Sequence, residues 1–266
     1  MMKKRLSQAA GVLIWFMIVA GCTVGNKVNA PTASVDSGTV FLEEFSEFED
    51  TALDEPEVEE EAVIDSPDNW FTVSEITDEI LARIDGKSYK KNAKIPLEDL
   101  RYLTVAHYTF DNEVKKGELI CNRLIADDLI DIFRNLYNAH YPIESIRLID
   151  EFDADDRKSM NANNTSCFNY RLVSGTKKLS NHARGLAIDL NPFINPYVVK
   201  RKDGSLYVSP ADARKYADRT ADFPGKVDEN DLAYKEFIRH GFEWGGSWKK
   251  EQDYQHFQKK FPNLPY

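Results

Sequence analysis

An α+β fold, a mostly antiparallel sheet with helices on one side, follows from three observations on residues 70–266 of this 266-residue chain. Short β-type runs succeed one another without a helix between each pair, which argues against a parallel crossover sheet. Two segments, about 122–139 and 229–240, carry the spacing or end signals of amphipathic helices. The length and apolar content suit one domain with one core, and no internal repeat is present.

Taken in order, Thr72-Val-Ser-Glu75 has the form of a capping box opening a helix to about Ile84, within an N-terminal extension over residues 70–99. Residues 103–110 and 118–121 read as strands, the first rich in β-branched and aromatic residues. Asn122 is placed to cap a helix to about Ala139, in which Ile125, Leu129, Ile132, Phe133 and Leu136 share one face. Pro142 stops it. Strands follow at Ser145–Ile149, Cys167–Val173 and Leu186–Leu190, then a helix from Glu229 to His240 ended by Gly241, and a last strand near Gln255–Gln258.

The chain before residue 70 has a different character. Lys3-Lys4-Arg5 precede an apolar run from about Ala9 to Ala20 that ends in Val19-Ala20-Gly21-Cys22. This is the pattern of an export signal, too short for a comfortable membrane span. Its small residues before Cys22 resemble a bacterial lipoprotein processing box. Residues 1–21 then form the signal peptide, and Cys22 is the lipid-bearing N-terminus; a retained anchor or plain secretion are the alternatives. Residues 22–69 read as a disordered acidic tether, because fourteen acids lie between Asp36 and Asp68 with no Lys or Arg among them. Phe41, Leu42, Phe45 and Phe48 also allow a short partner-binding helix there.

Against Lys3, Lys4, Arg5 and Lys27, those fourteen acids account for the whole net charge of −10, leaving residues 70–266 neutral. Neither nucleic-acid binding nor attraction to a basic partner follows from the low pI. Cys121 and Cys167 are the remaining cysteines, either a disulfide in an oxidising compartment or two buried thiols.

Two motifs carry chemistry. Ser180-Asn181-His182 running on to Asp189, and Asp253-Tyr254-Gln255-His256, offer two imidazoles and a carboxylate to a metal, with a second carboxylate beside them. Three protein ligands leave a fourth tetrahedral position for water. Burying Asp189 among Leu186, Ile188 and Leu190 is costly unless a cation or strong donors compensate. The alternative, an Asp capping a turn with Asn191-Pro192, leaves the Asp253/His256 pair unexplained. If Asp253 and His256 both reach one metal, a bend must separate them, since residues three apart on a regular strand face opposite sides. Trp244 and Trp248, in the Gly-rich stretch beside Asp253, are placed to wall a cleft, orient His256 or pack in the core. His107, His140 and His240 lack partners at metal spacing and read as structural.

At these residues the chain resembles the D-alanyl-D-alanine carboxypeptidase family of zinc peptidases. The pattern Leu179-Ser180-x-His182-x-x-Gly185-x-Ala187-x-Asp189 is similar to its signature. Gly241-Phe-x-Trp244-Gly245-Gly246-x-Trp248 followed by Asp253-x-x-His256-Phe257 resembles its closing segment, and Asn163-Asn-Thr-Ser-x-Phe168-Asn-x-Arg171 its upstream part. The resemblance runs from about residue 100 to the end, in matching order.

It implies a zinc fold shared with lysostaphin-type peptidases and the hedgehog signalling domain. It implies His182, Asp189 and His256 as Zn2+ ligands and Asp253 as general base, where many relatives have Glu. It also implies Arg171 as support for the oxyanion and Ser180 as a substrate contact. The lesser reading of Arg171 is a surface or ion-pairing residue, whereas Ser180 is equally readable as a local cap; Trp244 is the other substrate-binding candidate.

The expectation is an exported, membrane-anchored bacterial lipoprotein facing the periplasm or cell exterior. It would be a monomeric zinc metallopeptidase cutting an amide bond of the peptidoglycan stem peptide, of the D-Ala-D-Ala carboxypeptidase or L-Ala-D-Glu endopeptidase type. The alternative is a non-catalytic zinc-bearing module that binds wall peptides or a protein partner.

Overall fold

The computed structural model describes residues 65–266; the export signal, Cys22 and the acidic segment as far as residue 64 lie outside the described residues. The longest strands form a hairpin, β2 (Leu100–Tyr108) and β3 (Val114–Asn122), paired antiparallel from Leu100↔Asn122 to Tyr108↔Val114. Their apolar residues divide between two faces. Leu103, Val105, Leu119 and Cys121 enter the main core, while Leu100 and Ile120 enter a second cluster.

The N-terminal extension differs from the capping-box expectation. Thr72–Ser74 forms β1, an edge strand antiparallel to β2, and the Thr72 and Thr104 hydroxyls lie 2.8 Å apart. The helix starts later, as α1 (Asp78–Ile84), where the Thr77 hydroxyl accepts from the Ile80 amide. A ladder to β2 satisfies more backbone groups than a capping box can, so pairing prevails over the local signal. Ile80 and Ile84 then close the second cluster with Ile95, Leu148 and Phe168.

The helix α2 (Ala126–Asn138) follows β3 and buries Leu129, Ile132, Phe133 and Leu136, as its spacing requires. Asn122 does not cap it. That residue is fully buried, its Oδ1 accepts from Leu124 N at 3.1 Å, and its Nδ2 donates to the Arg184 carbonyl at 3.1 Å. The side-chain oxygen that a cap would use is spent on Leu124 N, ahead of the helix, while the tertiary contact with residue 184 fixes the NH2 end.

Next come β4 (Ser145–Ile146), α3 (Asp156–Asn161) and β5 (Asn164–Thr165), with β4 and β5 parallel. Residues 167–173 are not the regular strand expected. Their amides go to different partners: Phe168 N to Ile120 O, Asn169 N to His182 O and Tyr170 N to Ser88 O. A segment shared among several neighbours can pair its amides without forming one ladder.

The rest comprises β6 (Ala187–Asp189), β7 (Tyr197–Lys200), β8 (Leu206–Ser209), α4 (Leu232–Arg239), β9 (Glu243–Trp244), β10 (Gln252–Asp253) and β11 (His256–Gln258). The α+β class holds, but the single sheet does not. Three three-stranded antiparallel sheets form, in the orders β1-β2-β3, β6-β11-β9 and β10-β7-β8. Strands of two to four residues separated by turns close each small ladder before it can extend the hairpin sheet.

One core joins the hairpin, α2, α4 and the β6-β11-β9 sheet, with Phe237 of α4 stacked on Phe257 of β11 at 4.2 Å. Cys121 and Cys167 are free and buried, so the disulfide alternative is not realised. No helix among the described residues is long and apolar enough to cross a membrane.

Candidate metal centre

The site begins with a turn. His182–Arg184 is a single 3-10 turn whose Ala183 amide is capped by the Ser180 hydroxyl at 3.1 Å, and Gly185 ends it at φ 63°. A side chain at Gly185 would be strained at that φ and would also meet Asn122 N at 2.6 Å, so the glycine of the motif is required twice over. Cys167–Arg171 runs antiparallel beside the turn: Asn169 N donates to His182 O, and Ser180 N to Arg171 O. The Cys167 carbonyl thereby meets His182 Nδ1 at 2.7 Å.

From the turn the chain enters β6, which pairs with β11 so that Asp189 lies opposite His256 and Ile188 opposite Phe257. Directly opposed residues of an antiparallel pair share a face. Ile188 and Phe257 therefore point into the core, and Asp189 and His256 point together to the other side. His182 and His256 are buried and Asp189 nearly so.

These three side chains present one atom each to a common point. His182 Nε2 lies 3.2 Å from His256 Nδ1 and 3.3 Å from Asp189 Oδ1, and His256 Nδ1 lies 3.0 Å from the same Oδ1. The outer ring nitrogens are already occupied. His182 Nδ1–H donates to the Cys167 carbonyl, and His256 Nε2–H donates to Gln258 Oε1 at 3.1 Å. In the neutral rings the inner nitrogens then carry the lone pairs, and with the Asp189 oxygen they make a donor set that suits zinc. Zinc–ligand bonds of about 2.0–2.1 Å in a tetrahedron set neighbouring ligand atoms roughly 3.3–3.4 Å apart, close to the separations here.

The electrostatics agree. Burial pushes the Asp189 carboxyl up, but the charges and hydrogen bonds of His182 and His256 outweigh it and hold the group well below the usual carboxylate range. Burial pulls His256 down, yet the hydrogen bond and charge of Asp189, with Asp253 adding, raise it to about 8. The cluster draws positive charge, either protons or a metal cation.

Asp253 arrives from a different sheet. It ends β10, paired with Tyr197 of β7, and a two-residue turn at Tyr254-Gln255 separates it from His256. That turn is the bend which a shared metal demands. The Trp244 indole N–H holds it by donating to the Tyr254 carbonyl at 2.9 Å. Gly245 lies beneath, where an added Cβ would come within 2.7 Å of the Asp253 carbonyl oxygen and 2.8 Å of its Cβ. Burial raises the Asp253 carboxyl to about 6, opposed by the positive charge of His256 and assisted by the negative charge of Asp189. A carboxyl raised in this way holds a proton more readily than a solvated one, which suits an acid–base group.

Other expected residues sit differently. Trp244 is buried in the main core, edge-on to Tyr234, rather than walling a cleft; Trp248 is the indole that meets the His256 ring, at 5.4 Å. A ring that packs on Tyr234 and Tyr254 and shares the main core gains more from burial than from an open cleft. Ser180 is buried and serves as the local cap. Arg171 is half-buried, with its guanidinium against the Asp156 carboxylate.

Gln258 was not singled out from the sequence, though it lies two residues from His256 and so shares its face of β11. It accepts from His256 and from Asn181 Nδ2 and donates to Glu243 Oε2 at 3.4 Å, so its amide orientation is set from both ends.

Residues 174–259 match a family model described as D-alanyl-D-alanine carboxypeptidase. The match bears out the resemblance, and it contains His182, Asp189, Asp253 and His256 but not Arg171. It covers about a third of the chain and supports peptidase chemistry. Neither a curated protein nor a solved structure matches the chain.

Proposed function

We propose that the protein is a zinc metallopeptidase that hydrolyses an amide bond of the peptidoglycan stem peptide, on a hedgehog/D-Ala-D-Ala-peptidase-like fold. The observation that carries the proposal is the convergence of two imidazoles, each tied down by its outer N–H, and one carboxylate, beside an Asp whose pKa is raised. His182, Asp189 and His256 would hold the metal. Bound there, zinc would supply a Lewis acid that acidifies water and polarises a carbonyl oxygen.

The chain's own groups do the rest. Asp253 takes a proton from the attacking water and returns it to the leaving amine. The Cys167 carbonyl and Gln258 fix the imidazole rings and their tautomers. Arg171 is the cation proposed to meet the negative charge developing on the carbonyl oxygen, which requires it to loosen from Asp156 when substrate enters. A lipid on Cys22 and the acidic tether would hold this monomeric domain at the membrane, outside the cytoplasm and within reach of the wall.

The test is zinc content of the full-length protein together with mass spectrometry of muropeptides after digestion. A defined mass loss that a chelator abolishes and zinc restores is expected. Zinc bound without cleavage of any muropeptide would overturn the peptidase and leave a binding module. Replacing Cys22 with Ser should move the protein out of the membrane fraction; unchanged membrane association would remove the lipid anchor.

A further inference from the structure

Gln255 occupies the turn between the strand that carries Asp253 and the strand that carries His256, and its side chain is almost wholly buried, at 3% exposure. Its amide nitrogen donates to Asp253 Oδ1 at 3.1 Å and also lies 3.7 Å from the Met160 sulfur. Its amide oxygen is buried with no hydrogen-bond partner. Structures rarely keep a buried acceptor unpaired, because the desolvation cost is not recovered. Turning the amide over would bring that oxygen against the Asp253 carboxylate, acceptor facing acceptor. The unpaired oxygen is thus the consequence of keeping an N–H on Asp253.

We infer that Gln255 is a positioning residue for the proton-transferring carboxylate. Resting on the peptidase reading above, the inference is that its N–H holds Oδ1 of Asp253 and leaves Oδ2, which has no hydrogen bond among the described residues, as the oxygen that exchanges the proton. The backbone supports a separate role for the side chain. The Gln255 carbonyl accepts from Leu190 N at 2.9 Å, beside Asp189, a bond made by the backbone and not by the side-chain amide. The metal ligands and the turn can therefore persist while the carboxylate loses its restraint.

The test uses the full-length protein with Gln255→Met, which keeps length and volume but removes the donor, and Gln255→Glu, which keeps shape but replaces the donor by an acceptor. Each is made alone and in an Asp253→Ala background. With a purified muropeptide that the wild type cuts, kcat should fall roughly 10- to 100-fold in either single variant while KM and zinc content stay unchanged. In the Asp253→Ala background the same replacements should cause no further loss. An equal loss in both backgrounds, a kcat within about twofold of wild type, or loss of zinc with activity would overturn the assignment. Crystal structures supply a readout independent of turnover: the Asp253 carboxylate should turn from its wild-type rotamer in Gln255→Met, and an unmoved carboxylate would overturn the role. If the wild type cuts no muropeptide, the peptidase reading fails and this crystallographic comparison alone decides on Gln255.

Discussion

The β6-β11-β9 and β10-β7-β8 sheets each bring part of the candidate site, and they are supported very differently. Ile188, Phe257 and Trp244 root the first in the main core, and both of its histidine-facing polar contacts, Gln258 and the Asp189–His256 pair, are hydrogen-bonded. The second rests on a hairpin whose buried residues Val198 and Val208 belong to neither core cluster, and its strand β10 has only two residues. Two of the three candidate metal ligands, Asp189 and His256, sit on the packed sheet, with His182 in the turn that leads into it, and the proposed base Asp253 sits on the lighter one. On the proposed reading, ligand geometry would be enforced by burial, whereas the base would depend on a few polar contacts, chiefly Gln255 and the Trp244–Tyr254 bond.

The largest effect is expected from removing a candidate ligand on the packed sheet. Asp189→Ala should abolish stoichiometric zinc by elemental analysis and cost more turnover than the roughly 10- to 100-fold typical of losing an outer partner. Retained zinc would mean that another residue completes the set. On the lighter sheet, Asp253→Ala should keep zinc at one per chain and lower turnover by roughly 10²- to 10⁴-fold. Zinc loss there would show that Asp253 is a ligand and dissolve the distinction between the sheets.

A smaller effect is expected one step out from the metal. Gln258→Leu removes the acceptor of His256 Nε2–H and should weaken zinc affinity by roughly 10- to 100-fold in a competition titration, with a folded spectrum. Unchanged affinity would assign ring orientation to packing alone.

The smallest effect lies on α4, which backs the packed sheet through Phe237. Burial raises the carboxyl of its cap, Asp231, to about 6, although the Tyr234 and Ala233 amides and the Tyr141 hydroxyl favour its ionised form. A carboxyl with a folded pKa above its unfolded value binds more protons when folded. Its contribution therefore falls as pH rises from about 4 through 6. Asp231→Asn retains an accepting oxygen and removes the charge. It should stabilise the protein by about 1–2 kcal/mol at pH 7, after allowance for residual solvation, and by almost nothing near pH 4. Urea melts at both pH values check the sign; destabilisation at pH 7 would show that the charge itself serves the cap.

Much of the site was legible because the motifs are short and their residue types are chemically narrow. His182, Asp189, Asp253 and His256 could be named from the sequence, and so could the need for a bend before His256. The amphipathic face of α2 was equally plain. Less legible were the positions where a polar group has several possible partners. Asn122 had the form of a helix cap but bonds Arg184 and Tyr266 instead, and Thr72-x-x-Glu75 had the form of a capping box but joins a sheet edge. Trp244 and Trp248 occupy one motif, yet one entered the core and the other met His256.

By itself, then, the sequence determined the chemistry available: two imidazoles and two carboxylates in turn-and-strand contexts, with glycines where a side chain would collide. Periodicity and spacing are local properties, and they specify which residue types share a face. Only the tertiary structure decided which atoms converge, because Cys167, Gln255 and Gln258 acquire their roles through long-range register and side-chain hydrogen bonds. Those bonds form between any suitable donor and acceptor that packing brings within reach, so their partners are set by the fold.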